Sequence, residues 1–164
     1  MSSEVGLEDP IDPDVDLRVG SQRRELVRHH APVLGAIALG GGLGALARYG
    51  LAQVLPSRPG QFPWGTFTTN VLGCFLIGVL MVVITEVWSA HRLVRPFLGV
   101  GILGGFTTFS TYAVETRGLL HPGTVGLAFG YLAGTLIGAM LAVIAGVWTT
   151  RLTVRPTSNP DKAV

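Results

Sequence analysis

Arg48, Asn70 and the run Phe106-Thr107-Thr108-Phe109-Ser110-Thr111-Tyr112 place polar groups where their neighbours in the chain are apolar. Their chemistry is that of binding without covalent change. The Asn70 amide carries two N–H donors and one acceptor, and each hydroxyl gives one donor. The Arg48 guanidinium is permanently cationic. Such groups replace the water around a small ion. They do not assemble a nucleophile with its base, and no enzyme activity is expected. No Cys/His metal spacing and no GxxxxGK[ST] phosphate loop occur in the 164 residues. A pump with its own nucleotide-binding module is therefore excluded.

The elements that must position these groups are membrane spans. Hydrophobic residues make up 48% and charged residues 13%, with a mean hydropathy of +0.50. A soluble domain carries about 25% charged residues, so neither a soluble globular domain nor a disordered chain fits. The apolar residues fall in four stretches, 33–55, 64–88, 96–116 and 124–150, with short polar connectors. Each is long enough for a helix across the bilayer, which takes about 20 residues. The expectation is an all-α membrane protein with a domain at 33–150, a disordered head at 1–32, acidic then basic, and a tail at 151–164. Gly is 23 of 164 residues, roughly double the ~7% average. Gly126, Gly130, Gly134 and Gly138 repeat every fourth position, which lines one helix face. Gly40 and Gly44 share that spacing. Bare backbone of this kind lets another helix approach closely, and a smooth face on a small bundle predicts an oligomer. The single cysteine, Cys74, lies inside the second span, where it reads as ordinary packing and permits no intrachain disulfide.

Charge sets the orientation. The head holds Arg18, Arg23, Arg24 and Arg28, the loop after the second span Arg92 and Arg95, and the tail Arg151, Arg155 and Lys162. Four spans put all three segments on one side, which gives nine basic residues there. The other side has Arg58 and Arg117. Basic residues collect in the cytoplasm, so both termini are predicted to be cytoplasmic in a multi-pass protein of the cell membrane.

Within the spans, Arg48 has two readings. It attracts an anion, or it hydrogen-bonds carbonyls and caps a neighbouring helix; a buried arginine costs about 2.5–3.5 kcal/mol on insertion scales and must face protein or water either way. Asn70 similarly lines a wet path or joins helices. The third span, Gly101 to Tyr112, makes a poor continuous helix. Glycine weakens a helix and Ser/Thr compete for its backbone, so an interruption is predicted near Gly104–Thr107. Interruptions persist in membranes where the freed backbone is buried or faces an ion. Freed carbonyls bind a cation, and the N-terminus of the resumed helix favours an anion. Phe109 and Tyr112 then share a face beside the hydroxyls of Ser110 and Thr111. Carboxylates are scarce: only Glu86 and Glu115 approach the membrane, both late in their spans. The balance favours an anionic cargo.

Three motifs carry a resemblance. Gly40-Gly41-Gly42-Leu43-Gly44-Ala45-Leu46-Ala47-Arg48-Tyr49, Gly65-Thr66 through Asn70, and Gly104-Gly105-Phe106-Thr107-Thr108-Phe109-Ser110-Thr111-Tyr112, followed by Val114-Glu115, together resemble the Fluc (CrcB) fluoride-channel family over residues 34–150. The resemblance implies a passive, fluoride-selective channel built as an antiparallel dimer with two pores and with the third helix broken mid-membrane. It implies a structural sodium ion at the dimer centre, held by carbonyls matching Gly104 and Thr107. Ion-pathway positions match Asn70, Phe109 and Tyr112, with Arg48 in the first span and Tyr131 and Thr135 along the fourth. The implied role is export of fluoride that entered as neutral hydrogen fluoride and ionised inside; no nucleic acid is involved.

Two features depart from the family pattern. Tyr112 stands where a second phenylalanine is usual, which adds a donor at the ring tip. Nine basic residues against two also fix one insertion direction, whereas antiparallel homodimers need balanced loops. The expectation is pairing with an oppositely oriented homologous subunit. Two rival readings remain. One is a small multidrug-type four-helix cation exporter, which the missing central carboxylate disfavours. The other is a scaffold whose glycine faces only bind other helices.

Overall fold

The computed structural model describes residues 20–87 and 91–154. The acidic stretch of the head, residues 1–19, and the tail from 155 onward lie outside the described residues. The described residues are helical and contain no strand. The chain divides into two units, Met1–Pro32 and Val33–Val164. The boundary falls at Pro32, inside α1 (Gly20–Val54), where the ring removes one helical N–H. Helical backbone thus begins at Gly20, ahead of the boundary at 33 that hydropathy suggests; the apolar part of α1 starts at His30.

The second unit contains α2 (Trp64–Val82), which continues as a π-wound turn over Val83–Val87. It also contains α3, π-wound over Pro96–Leu103 and α-wound over Gly104–Phe106, then α4 (Ser110–Leu119) and α5 (Val125–Thr153). Proline is placed where its missing N–H costs nothing: Pro63 precedes α2 and Pro96 opens α3. Gly60 and Gly123 turn the connectors with φ of 73° and 97°, a region that side chains other than glycine rarely enter. Four stretches are long and apolar enough to cross a membrane: His30–Val54, Trp64–Val87, Pro96–Leu119 and Val125–Thr153. The last runs past residue 150 and includes Arg151, which pairs with Glu86. Its Nη2 and Nε donate to the same Glu86 oxygen at 2.6 and 2.9 Å.

Glycines set how closely the helices meet. Between α2 and α5, a Cβ on Gly78 would strike the Val143 carbonyl, and one on Gly146 would strike the Phe75 carbonyl. Between α1 and α3, Gly40 lies on Gly101 and Phe97, Gly41 on Gly105, and Gly44 on Ile102. The first-span pair Gly40 and Gly44 therefore packs a neighbour, as its spacing suggests. The α5 stripe behaves differently: Gly138 touches Phe67 and Val71, while Gly126, Gly130 and Gly134 meet nothing within 4 Å in the single chain. The close contacts of α5 are displaced to Gly146, because α2 crosses α5 nearer its C-terminal half.

The outer surface is apolar. Leu136, Ile137, Met140, Leu141 and Ile144 of α5 are all exposed, an arrangement suited to lipid and not to water. Trp64 and Trp148, at the ends of α2 and α5, are exposed at the level where aromatic rings anchor to headgroups. The buried cluster is small: Leu119, Ala128 and Tyr131, with Phe62, Phe67 and Tyr112 packed on it.

Candidate functional site: the polar segment between α3 and α4

Between α3 and α4 the backbone departs from helical winding. Thr107 is extended, with φ −72° and ψ 159°, and helical structure resumes at Ser110. The cause is a set of competing hydrogen bonds. The N–H and the hydroxyl of Thr107 both donate to the Leu103 carbonyl, at 3.0 and 2.9 Å, which ends α3 with two hydrogen bonds to one oxygen. The N–H of Thr108, which a continuous helix would aim at Gly104, donates instead to Asn70 Oδ1 at 2.9 Å. Asn70 Nδ2 returns a bond to the Thr108 carbonyl at 3.0 Å. One side-chain amide thus clamps both main-chain groups of a residue 38 positions away. This is how an unwound residue keeps its polar groups satisfied where water is excluded.

Thr108 also opens the next helix. Its Oγ1 accepts the N–H of Thr111 at 3.2 Å and donates to Thr111 Oγ1 at 3.1 Å, while Ser110 Oγ lies 3.3 Å away. A threonine accepting the N–H three residues on acts as an N-cap does. The same bond diverts the donor that a continuous helix would aim at the Thr107 carbonyl. The N–H groups that would cover Gly104 and Thr107 are both used elsewhere, which frees these two oxygens.

Two cavities flank the segment, and Thr108 lines both. The larger, about 550 Å³, is bounded by Arg48, Thr66, Thr69, Ser110 and Thr111 among others. Arg48 lines this cavity and, among the described residues, makes no salt bridge. The smaller, about 300 Å³, brings together Asn70, Cys74, Thr107, Phe109, Tyr112 and Thr135. Thr135 is 5% exposed, and its Oγ1 is the one buried side-chain polar atom without a hydrogen-bond partner among the described residues. A helical threonine ordinarily bonds the carbonyl four residues back, and Thr135 makes no such bond in the single chain.

The aromatic groups are held differently. The Phe109 and Tyr112 ring centroids lie 5.9 Å apart with a tilted arrangement. Phe109 is 79% exposed on the single chain. Tyr112 spends its hydroxyl on the Leu132 carbonyl at 2.8 Å, so the departure from phenylalanine fastens α4 to α5. Tyr131 is fully buried and lines neither cavity. Its hydroxyl donates to Glu115 Oε2 at 2.8 Å, and Ser57 donates to Oε1 of the same carboxylate at 3.0 Å.

Of the sequence-predicted positions, the structure gathers Arg48, Ser110 and Thr111 at one cavity and Asn70, Phe109, Tyr112 and Thr135 at the other. The sequence places Thr108 in the hydroxyl run but does not single it out as the hub of the arrangement. The signal for that role was the Thr–Thr pair directly before the resumed helix. Sequence reasoning passed over the Ser57–Glu115–Tyr131 chain, which joins a loop to two helices and had no local signal.

Comparison with known proteins follows the same residues. The family model described as CrcB-like protein, Camphor Resistance (CrcB), matches residues 35–147. A relative from Nocardia farcinica named Fluoride-specific ion channel FluC 2 is 59% identical over 119 residues, covering 73% of this chain and 85% of the relative. One of the same name from Streptomyces avermitilis is 54% identical over 125 residues, covering 76% and 79%. Fluoride-specific ion channel FluC 1 of Streptomyces coelicolor is 52% identical over 135 residues, covering 82% and 88%. With its four apolar helices and a match that spans all of them, the chain belongs to the CrcB family of multi-pass membrane proteins.

Proposed function

We propose that this chain is a subunit of a fluoride-specific channel in the cell membrane, through which cytoplasmic fluoride leaves passively. The names of its relatives supply the ion, and the geometry supplies a route. The observation that carries the reading is the two-point clamp of Asn70 on Thr108. It holds open a break in the third span at the centre of the bilayer and puts donors there. Arg48, Ser110 and Thr111 gather the anion at the larger cavity. The second N–H of Asn70, the free hydroxyl of Thr135 and the positive ring edges of Phe109 and Tyr112 then replace its water. Tyr131 lines neither cavity and supports the track from behind, its hydroxyl donating to Glu115. Several modest contacts in series suit conduction better than one tight site. Hydrogen fluoride enters as a neutral acid and ionises inside; the channel returns the anion and relieves toxicity.

The freed carbonyls of Gly104 and Thr107 fit a structural sodium ion. They are hard oxygen donors of the kind such cations take, and a Cβ on Gly104 would meet nothing within 4 Å. A bound sodium ion supplies a fixed positive charge that lowers the cost of an anion in low dielectric. Two carbonyls are an incomplete set, which a second subunit completes. The exposed Phe109 ring and the bare Gly126–Gly134 face are what an antiparallel partner covers. Nine basic residues against two keep both termini cytoplasmic, so the oppositely oriented subunit is a homologous chain of opposite bias.

The test is complementation. In cells stripped of their own fluoride channels, this chain expressed with an oppositely biased CrcB chain restores growth in fluoride and leaves drug sensitivity unchanged. Unrestored growth with both chains in the membrane contradicts the proposal.

A further inference from the structure

Cys74 lies one helical turn beyond Asn70 on α2, and positions four apart share a face. Its sulfur is free and half-buried, and it lines the same cavity of about 300 Å³ as Asn70, Phe109 and Thr135. A cysteine alone marks nothing, and hydropathy alone assigns it to packing. The independent observation is the Thr135 hydroxyl. It is buried, belongs to a residue lining the same cavity, and has no hydrogen-bond partner within the single chain. An unpaired donor and the thiol thus border one cavity, next to the Asn70 amide.

We propose that Cys74 is a thiol-modification site inside the ion path, where exchange with a small anionic disulfide or thiosulfonate leaves a mixed disulfide that closes the route. This rests on the channel reading above. The adduct acts by volume and by charge: a fixed anion beside Asn70 repels a mobile anion strongly in low dielectric. With sulfonatoethyl methanethiosulfonate as probe, the Cys74 thiolate attacks the sulfenyl sulfur after its proton passes to buffer. The new S–S bond forms as the bond to the sulfonyl sulfur breaks, and methanesulfinate leaves with the electron pair. Dithiothreitol reverses the modification, releasing the small thiol as it is itself oxidised to its cyclic disulfide.

The experiment uses the full chain in liposomes with its partner, the partner's own cysteines replaced by serine. Cys74 is then the one thiol present, since the chain has a single cysteine. Intact mass follows labelling in fluoride and in chloride salts, and an electrode follows fluoride efflux before and after labelling. One adduct per chain is expected, forming more slowly in fluoride than in chloride. Flux is expected to fall by about tenfold or more, less with the cationic aminoethyl reagent, and to recover with dithiothreitol. In Cys74→Ser the ratio of treated to untreated flux stays near one. Absence of labelling, equal labelling rates in the two salts, or a fully labelled chain that conducts unchanged overturns the proposal. Fluoride-slowed labelling in a chain that moves no fluoride even before treatment contradicts the channel reading and leaves the site standing.

Discussion

Replacing Asn70 by alanine deprives the Thr108 N–H and carbonyl of their partners at once. An unsatisfied buried group costs about 1–3 kcal/mol, so Asn70→Ala lowers the unfolding midpoint in detergent and abolishes most fluoride flux. Asn70→Asp keeps the acceptor for Thr108 but loses the donor and adds a negative charge; it conducts less than the stability loss alone accounts for. Comparing flux with the unfolding midpoint for both variants checks this. Tyr112→Phe is milder. It removes one bond to Leu132, worth about 1 kcal/mol, and leaves the ring edge in place. Preference for fluoride over chloride is expected to persist, and a large loss of that preference would show the hydroxyl acting on the ion. Sequence revealed Asn70 and the hydroxyl run as out of place in lipid. It did not reveal that they meet, because the clamp joins residues 38 apart and no local propensity encodes that distance.

At the scale of elements, helix contact depends on bare backbone at a few points. Gly78→Val and Gly146→Val each drive a side chain into a carbonyl of the facing helix. Both are expected to reduce the yield of monodisperse protein sharply on size exclusion. Gly130→Val meets nothing within the chain and leaves the subunit folded; cross-linking shows whether it weakens pairing instead. Hydropathy identified four spans and their connectors, because apolar length is a sufficient signal for crossing a bilayer. It did not say which helix each α5 glycine faces, since a four-residue repeat defines a face and not its neighbour. It also gave no sign of the π winding at Val83–Val87 and Pro96–Leu103, which hydrogen-bond register decides and composition does not.

The whole molecule is governed by its charge asymmetry and its unpartnered surfaces. A reporter fused to the C-terminus is expected to read cytoplasmic in every molecule, with no dually inserted fraction; an external signal contradicts the orientation argument. The large exposed apolar area and the exposed Phe109 suit contact with lipid, and under the proposed function a second subunit covers part of them. The clamp at Thr108 links the three scales: one amide holds one interruption between α3 and α4, and in the proposed channel a partner encloses the ion there. The most direct measurement is ion-selective electrode recording of fluoride efflux from liposomes holding this chain and its oppositely inserted partner, set against chloride efflux from the same preparation. Rapid loss of fluoride with chloride retained is the predicted result. Equal leakage of both halides, or retention of both, would contradict the account.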